Sequence, residues 1–489
     1  MKKITGILVS LLLTSSLMAQ NYEDVLRTSE TFSRGNARFM AMSGAMGALG
    51  NNMSALSINP AGGAIARTGM LEFTPAFSYI KSENYYLGTY NRRFETAFRL
   101  SNFGLMFAKN TPNGGIISGV SFGFTANNQN IYDASMRYEA VNNTSSFTDE
   151  ALRMAEQNEV PENSYQDLFW QSYLLNNYDN AYFTDFRTPE SSLYGQNQTA
   201  IINRSGGKYE YSFNFGLDFS QYIYVGADFS IQNINYNESF MVEERDRNND
   251  FEYFNNFVYR SNLSVNGNGY MGKFGIIARP VEFIRLGVAY HTPTAFFLSE
   301  DYTQRINANF DKDISDDNSN ITSTAASLPS NLYDYKIITP SKTVASLGLV
   351  YKNIAMLGID YETVNYANAY LDAKDYGFSD ENAGVSQSLA RVDNLKIGAE
   401  LCYGKYSVRL GTALYGNPYV AYKDEDTFYR TDISAGLGFK TEGFYCDLAW
   451  VKSAHKQYNF LYTDYEGYNV TGKSTLKKSD FTLTLGFKF

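Results

Sequence analysis

Cysteine, histidine and tryptophan each occur only twice in this 489-residue chain, and each scarcity closes off a class of protein. Cys402 and Cys446 fall in separate alternating segments. Cys402 shares a face with Glu400, and Cys446 shares the opposite face with Leu448 and Trp450, so bridge geometry is out of reach and two free thiols are expected. His291 and His455 do not stand at the spacing of a zinc hydrolase, and no metal, cofactor or enzymatic activity is expected. A formal charge of -10 without a basic run argues against a nucleic-acid partner. After residue 19 no apolar run approaches the roughly 18 residues of a membrane helix, so any membrane span must be made of strands.

Tyrosine (40) and phenylalanine (35), by contrast, are abundant, and they fall at every second position. Alternation marks fourteen strands, near 70–81, 93–109, 115–139, 206–220, 222–243, 254–279, 282–310, 332–352, 354–366, 390–403, 405–415, 429–441, 443–463 and 475–489. The last is Phe481-Thr-Leu483-Thr-Leu485-Gly-Phe487-Lys-Phe489, ending on an aromatic residue. Short links alternate with long ones, of which 140–205 is the longest. This pattern implies an all-β fold, a 14-stranded antiparallel transmembrane β-barrel over 70–489, with both termini on the periplasmic, short-turn side. The mean hydropathy of -0.33 is compatible, because half of each such strand faces a polar interior.

Lys2 and Lys3 precede an apolar run from Ile4 to Leu13, and Met18-Ala19-Gln20 follows, which reads as a signal peptide over 1–19. Losing two lysines takes the charge from -10 to -12, and no cysteine after the cut offers a lipid anchor. Residues 20–69 lack alternation but are rich in glycine and methionine. They are expected to form a hatch inside the lumen, since a barrel of this width is not filled by its own side chains. Within them Asn59, Pro60, Ala61 and Gly62 form a rigid turn suited to latching.

Parity assigns the faces of the strands. Tyr211, Phe213, Phe215, Leu286, Val288 and Leu410 should meet lipid. Arg285, His291, Asp360, Glu400, Arg409, Asp432 and Asp447 should line the lumen beside Asp218, Asp228, Lys273 and Arg279, with cross-lumen salt bridges between them. In the second strand Phe98 and Leu100 share one parity and Phe103 and Leu105 the other, which places a bulge, and a possible wall irregularity, at Ser101 and Asn102. In the longest loop, Ser164-Tyr-Gln-Asp167 opens a short extracellular helix. Its Leu168, Phe169 and Tyr173 are candidates for a landing site for greasy molecules.

Gly47-Ala-Leu-Gly50 leading to Asn59-Pro60-Ala61-Gly62, Tyr290-His291-Thr292-Pro293 late in a strand, and the terminal Phe489 resemble the FadL/TodX family of outer-membrane transporters for long-chain fatty acids and aromatic hydrocarbons. The resemblance implies a passive outer-membrane channel for hydrophobic small molecules, gated by an N-terminal hatch carrying Asn59, Pro60 and Ala61. It also implies a wall gap at a kinked strand, for which Ser101-Asn102 and Asn127-Asn-Gln-Asn130 are the candidates. Membrane lipid, lipopolysaccharide, an apolar ligand and, through Phe489, the barrel assembly machinery are the implied partners of a monomeric chain. Three other readings stay open: an accessory barrel of a protein secretion system, a haemin receptor with His291 and His455 as axial ligands, and calcium at Asp246-Arg-Asn248-Asn-Asp250-Phe-Glu252.

Overall fold

Strict alternation of apolar and polar side chains lets a strand face lipid on one side and a polar bore on the other, and closure of the sheet removes its edges. The computed structural model describes residues 21–111, 116–315, 320–352, 354–421 and 428–489, so the expected signal peptide lies outside the described residues. Fourteen strands close into one antiparallel barrel. They are β1 Met70–Tyr86, β2 Thr89–Asn110, β3 Ile117–Ile131 resuming as Ala134–Asn142, β4 Gln196–Phe219 and β5 Ile223–Arg245. They continue with β6 Phe254–Val281, β7 Ile284–His291 resuming as Ala295–Phe310, β8 Asn331–Ile338 resuming as Lys342–Tyr351, and β9 Ala355–Asn365. The last five are β10 Arg391–Tyr403, β11 Tyr406–Gly416, β12 Phe428–Lys440, β13 Phe444–Thr463 and β14 Asn469–Lys488. Each strand pairs with the next, and β14 returns to β1 from Met70↔Lys488 to Tyr85↔Lys473.

Several boundaries differ from the sequence expectation. β1 and β2 run further and meet in the two-residue turn Leu87-Gly88, both at positive φ (44° and 80°), on the same end as the long loops. The strands expected over 115–139, 282–310 and 332–352 are each interrupted, at 132–133, 292–294 and 339–341. Pro293 and Pro340 lie in the last two breaks and cannot donate to a ladder, so the Thr292 hydroxyl accepts from Gly272 N (3.0 Å) and the Thr339 hydroxyl from Thr294 N (3.0 Å).

The exterior carries a continuous belt of exposed Phe, Tyr, Leu and Val, among them Phe77, Phe213, Phe215, Leu286, Val288, Leu410, Trp450 and Phe481. This is the surface of a barrel standing in a lipid bilayer. No helix among the described residues is long and apolar enough to cross a membrane. The bore is occupied. From Asn21 the chain forms helix α1 (Tyr22–Ser29) and the short helix α2 (Ala37–Ala41), then two 3₁₀ turns, Ser54–Ser57 and Pro60–Ile65, before reaching β1. Nearly every residue from Ser33 to Ala66 is buried.

Over the long-loop end lie two caps. One is the 143–195 connection, with α3 (Asp149–Asn158) and α4 (Tyr165–Gln171); the other is the 366–390 connection, with α5 (Ser379–Ser388). Phe489 exchanges backbone hydrogen bonds with Gly69 at the start of β1. The described N-terminal segment begins elsewhere. α1 packs against α5, and its Arg27 guanidinium lies 3.8 Å from the centre of the Tyr236 ring, so at Asn21 the chain is in the half of the bore nearer the long loops. The cause is the apolar face of α1, whose Val25 and Leu26 bury with Tyr335, Ile337 and Val385.

Candidate functional site

Local chemistry shapes the segment that fills the bore. Asn21 caps α1 in a capping box with Asp24, Asn36 caps α2, and Asn59 caps the turn that Pro60 opens with its preset φ. Asn59 is almost wholly buried. Its Oδ1 accepts from Ala61 N (3.1 Å), its Nδ2 donates to the Ile276 carbonyl (3.4 Å), and the Pro60 carbonyl accepts from Asn214 Nδ2 (3.1 Å). Two wall glycines make this approach possible. A Cβ on Gly275 would stand 1.9 Å from Asn59 Oδ1, and one on Gly226 would stand 2.3 Å from the Pro60-Ala61 backbone. Gly62 packs against Gly50, with Cα of Gly50 only 3.2 Å from where a Cβ on Gly62 would sit.

The bore segment is also bonded to the wall through charge. Arg34 Nη1 meets Asp480 Oδ2 at 2.8 Å, Arg38 Nη2 meets Glu400 Oε2 at 2.7 Å and Arg67 Nη1 meets Asp218 Oδ2 at 2.8 Å. Glu400 in turn accepts from Arg409, whose Nη1 reaches Asp447 Oδ1 at 2.6 Å, so Arg38, Glu400, Arg409 and Asp447 form one buried chain. Gly47 N donates to Asp360 Oδ2 (2.9 Å), His291 Nε2 donates to the Ile58 carbonyl (2.8 Å), and Arg285 donates to the Leu49 carbonyl. Lys208 Nζ reaches the Thr28 and Glu30 carbonyls at 2.7 and 2.6 Å, placing a cation at the C-terminal end of α1.

Salt bridges among the expected lining residues form along the wall, Glu400 to Arg409, Arg409 to Asp447 and Lys273 to Asp228, and others of these residues turn to the segment in the bore. The expected lining residues do face inward, but Glu400, Asp360, His291, Arg285 and Asp218 meet the bore segment, while Asp432 pairs with Arg430 on its own strand at 2.7 Å. The partners missing from the sequence reading are Arg34, Arg38 and Arg67. The available signal was that the acids assigned to the lumen outnumber its bases.

At the bulge, Pro75 pairs with Leu100 and Thr74 with Asn102, leaving Ser101 as the extra residue. β2 pairs with β3 only from Asn102↔Asn127 to Asn110↔Gly119. Beyond that point β3 breaks at Tyr132-Asp133, and Ala134–Asn142 pairs with β4 but not with β2. This outer piece leans into the bore: the Tyr138 hydroxyl lies 2.5 Å from Ser474 Oγ and accepts from Asn459 Nδ2 at 2.6 Å, on β14 and β13. Among the described residues, Thr89–Ser101 of β2 therefore has β1 on one side and no hydrogen-bonded strand on the other, the outer piece of β3 lying against it without a ladder. An Arg99–Asp133 ion pair spans the gap.

Both lips of the gap are bonded to three residues of the bore segment, Phe32, Arg34 and Gly35. Ser101 Oγ donates to the Gly35 carbonyl (2.7 Å), Arg34 Nε donates to Asn128 Oδ1 (2.7 Å) and Phe32 N donates to the Gln129 carbonyl (3.2 Å). Asn102 Nδ2 donates to Asn127 Oδ1 (2.7 Å) at the foot of the gap.

The landing-site expectation is corrected in part. Leu168 and Phe169 are 0% exposed, because they form the inner face of the cap, where Phe147, Tyr165, Phe254, Phe257 and Tyr259 gather. Tyr173 is exposed, beside Trp170 and Tyr178. A cavity of about 50 Å³ lies inside the bore between Thr31, Ile58, Gln232, His291 and Lys342.

Two strings match enzyme patterns but lack their structural context. Gly119-Val-Ser121-Phe-Gly123 has the G-x-S-x-G spacing, yet it is straight strand in β3 rather than a strand-to-helix elbow. Gly467 to Ser474 has the spacing of a phosphate loop, yet it runs from a turn directly into β14 with no helix to follow. His291 and His455 lie on β7 and β13, six strands apart, with His455 against Tyr429. Asp246 spends its carboxylate on the backbone N–H groups of Asn248, Asp250 and Phe251, as a turn cap does.

Barrel, inserted N-terminal segment and inward-leaning strand together can be compared with known structures. A Pseudomonas aeruginosa FadL homologue superposes with a TM-score of 0.55, covering 94% of this chain and 100% of the other at 13% identity. The chain has the FadL-type fold. The P. putida toluene transporter TodX superposes with a TM-score of 0.53, covering 94% of this chain and 99% of the other at 11% identity. No family model and no curated protein matches the sequence. The FadL-type likeness is thus one of architecture, carried by strand number and connectivity along nearly the whole of each chain.

Proposed function

We propose that this chain is an outer-membrane channel that passes hydrophobic small molecules such as long-chain fatty acids or aromatic hydrocarbons, with the bore segment as a hatch and the β2–β3 gap as a sideways exit. The carrying observation is that Phe32, Arg34 and Gly35 hold both lips of the gap at once, so a shift of the hatch must also release the wall. The structural neighbours, one a FadL homologue and one a toluene transporter, support the substrate class. A greasy solute partitions first onto Trp170, Tyr173 and Tyr178, then toward the aromatic inner face of the cap. The segment seated in the bore and ion-paired to its wall argues against a general porin and leaves lateral escape into the bilayer as the route with least desolvation. The exposed ring of Phe489, packed on Phe107 at the β14–β1 seam, is where the assembly machinery would take hold.

The reading is tested in liposomes bearing the mature protein, with labelled oleate and toluene as solutes. Both are expected to enter faster than in protein-free liposomes, glucose is not, and Asn59→Ala is expected to alter the oleate rate. Equal uptake with and without protein overturns the reading, and fast glucose uptake turns it into a porin.

A further inference from the structure

The chain is acidic overall, yet one stretch of its lipid-facing wall is strongly basic. On β13, β14, β1 and β2 the outward positions rise from the apolar belt in register. The belt row is Trp450, Phe481 and Phe77. Directly above it stand Lys452, Ser479 and Tyr79, then Lys477 opposite Lys81 with Phe94 beyond. The next row holds Lys456, Thr475, Glu83 and Arg92, and the one after it Tyr458, Lys473, Tyr85 and Tyr90. Among the described residues, six cations and the Glu83 carboxylate thus share a surface about four strands wide, on the long-loop side of the belt.

Like charges placed directly opposite on neighbouring strands repel, so the Lys81–Lys477 pair needs a reason. Glu83 supplies part of it: Lys81 Nζ and Lys477 Nζ each lie 2.6 Å from one of its carboxylate oxygens. Lys452, Lys473 and Arg92 add to this pair, so among the described residues cations exceed the Glu83 carboxylate on this surface even with Lys456 set aside. Its aromatic residues are those of a membrane interface. Tyr79 stacks on Phe94 with ring centres 5.7 Å apart, Tyr85 meets Tyr90 at 5.0 Å, and Lys473 Nζ sits 5.5 Å from the centre of the Tyr458 ring. The outer faces of β5 and β6 carry instead a neutral ladder, Asn233–Asn268 and Asn235–Asn266.

We infer that this face of β13, β14, β1 and β2 binds the phosphate groups of a lipid headgroup in the leaflet nearer the long loops. The position decides the occupant. The cations stand on the lipid-facing wall in the four rows above the apolar belt, where a phosphate arrives already tethered to a lipid, and ammonium and guanidinium groups are the donors that hold phosphate oxygens. The inference rests on the reading of the chain as a membrane barrel and is independent of what passes through it.

The test uses the mature protein in phosphatidylcholine nanodiscs doped with diphosphoryl lipid A or with its fully dephosphorylated form, and counts lipid retained on the protein by native mass spectrometry. The wild type is expected to retain the diphosphorylated lipid in preference. The double variant K81Q/K477Q is expected to lose roughly tenfold in retention, about the worth of one charge-assisted contact. K312Q/K336Q, which removes exposed lysines elsewhere, is expected to change nothing, and Glu83→Gln is expected to increase retention because both ammonium groups then face the ligand. Unchanged heat-induced unfolding checks that each variant is folded. Equal retention of the two lipids by the wild type, equal retention by K81Q/K477Q and wild type, or a fall with Glu83→Gln overturns the inference. Solute uptake is not read out, so a failed transport assay leaves this result standing.

Discussion

Gly275 shows how much a missing side chain can decide. Its Cα–H surface is the floor on which Asn59 rests, and a valine there would drive its Cβ into Asn59 Oδ1. Gly275→Val is expected to destabilise the barrel by about 1–3 kcal/mol through overpacking and to unseat the Asn59-Pro60 turn, which would appear as lower thermal stability together with raised ion conductance in planar bilayers. Arg409 is the matching case for charge. It alone connects Glu400 with Asp447, and both acids are buried. Arg409→Leu leaves Asp447 without its guanidinium, and a loss of about 3–5 kcal/mol is expected in urea unfolding. Replacing the whole group of charges with apolar residues would cost far less. None of these partnerships is visible at single positions. Asn-Pro-Ala-Gly announces a rigid turn, but nothing in those four residues says which glycines of which strands receive it.

Among the elements, strands were readable and their interruptions were not. Parity changes sign within β2 itself, so the bulge at Ser101 can be placed from the sequence alone. The break in β3 at Tyr132-Asp133 has no such mark, because its residues keep strand-like character and only the loss of a partner strand defines the gap. If the lips are held by Gly35 and Arg34, Ser101→Ala with Asn128→Ala should loosen them. The expected result is faster amide exchange in Thr89–Ser101 and Ala134–Asn142, with the rest of the barrel unchanged.

The cap over 143–195 carries a pH dependence of its own. Burial pushes the Asp149 carboxyl up to about 7, against the opposing hydrogen bonds from Ser146 N and Tyr194, and burial pushes Asp185 up to about 6. In the unfolded chain both ionise near pH 4. Between pH 4 and 7 the folded cap therefore keeps protons that the unfolded chain releases. The stability they lend is complete at low pH and is lost as pH rises through 6 to 7. Exchange across 143–195, corrected for its intrinsic pH dependence, is expected to be slower at pH 5 than at pH 8. The helices of this cap also explain why Leu168 and Phe169 mislead: helical spacing shows that they share a face but not whether that face turns to water or to the barrel's mouth.

For the molecule as a whole, periodicity and composition were enough to set the architecture. An apolar residue at every second position, repeated fourteen times without a membrane helix, admits one closed solution, because each unpaired backbone group in lipid must find a partner on a neighbouring strand. The same rule assigns each inward and outward face, and it explains why Glu400, Arg409 and Asp447 lie inside and Leu410 and Phe481 outside. Three-dimensional closure decided the rest. It carried Asn21 up toward the long loops, brought Arg34, Arg38 and Arg67 to acids as far as 446 residues away in the chain, and gathered lysines from separate strands into one basic surface. Alternation is a property of neighbours along the chain and survives in a one-dimensional reading. Which charges meet, and where the wall parts, depends on strand register and on a segment threaded through the middle, and these exist only once the ring has closed.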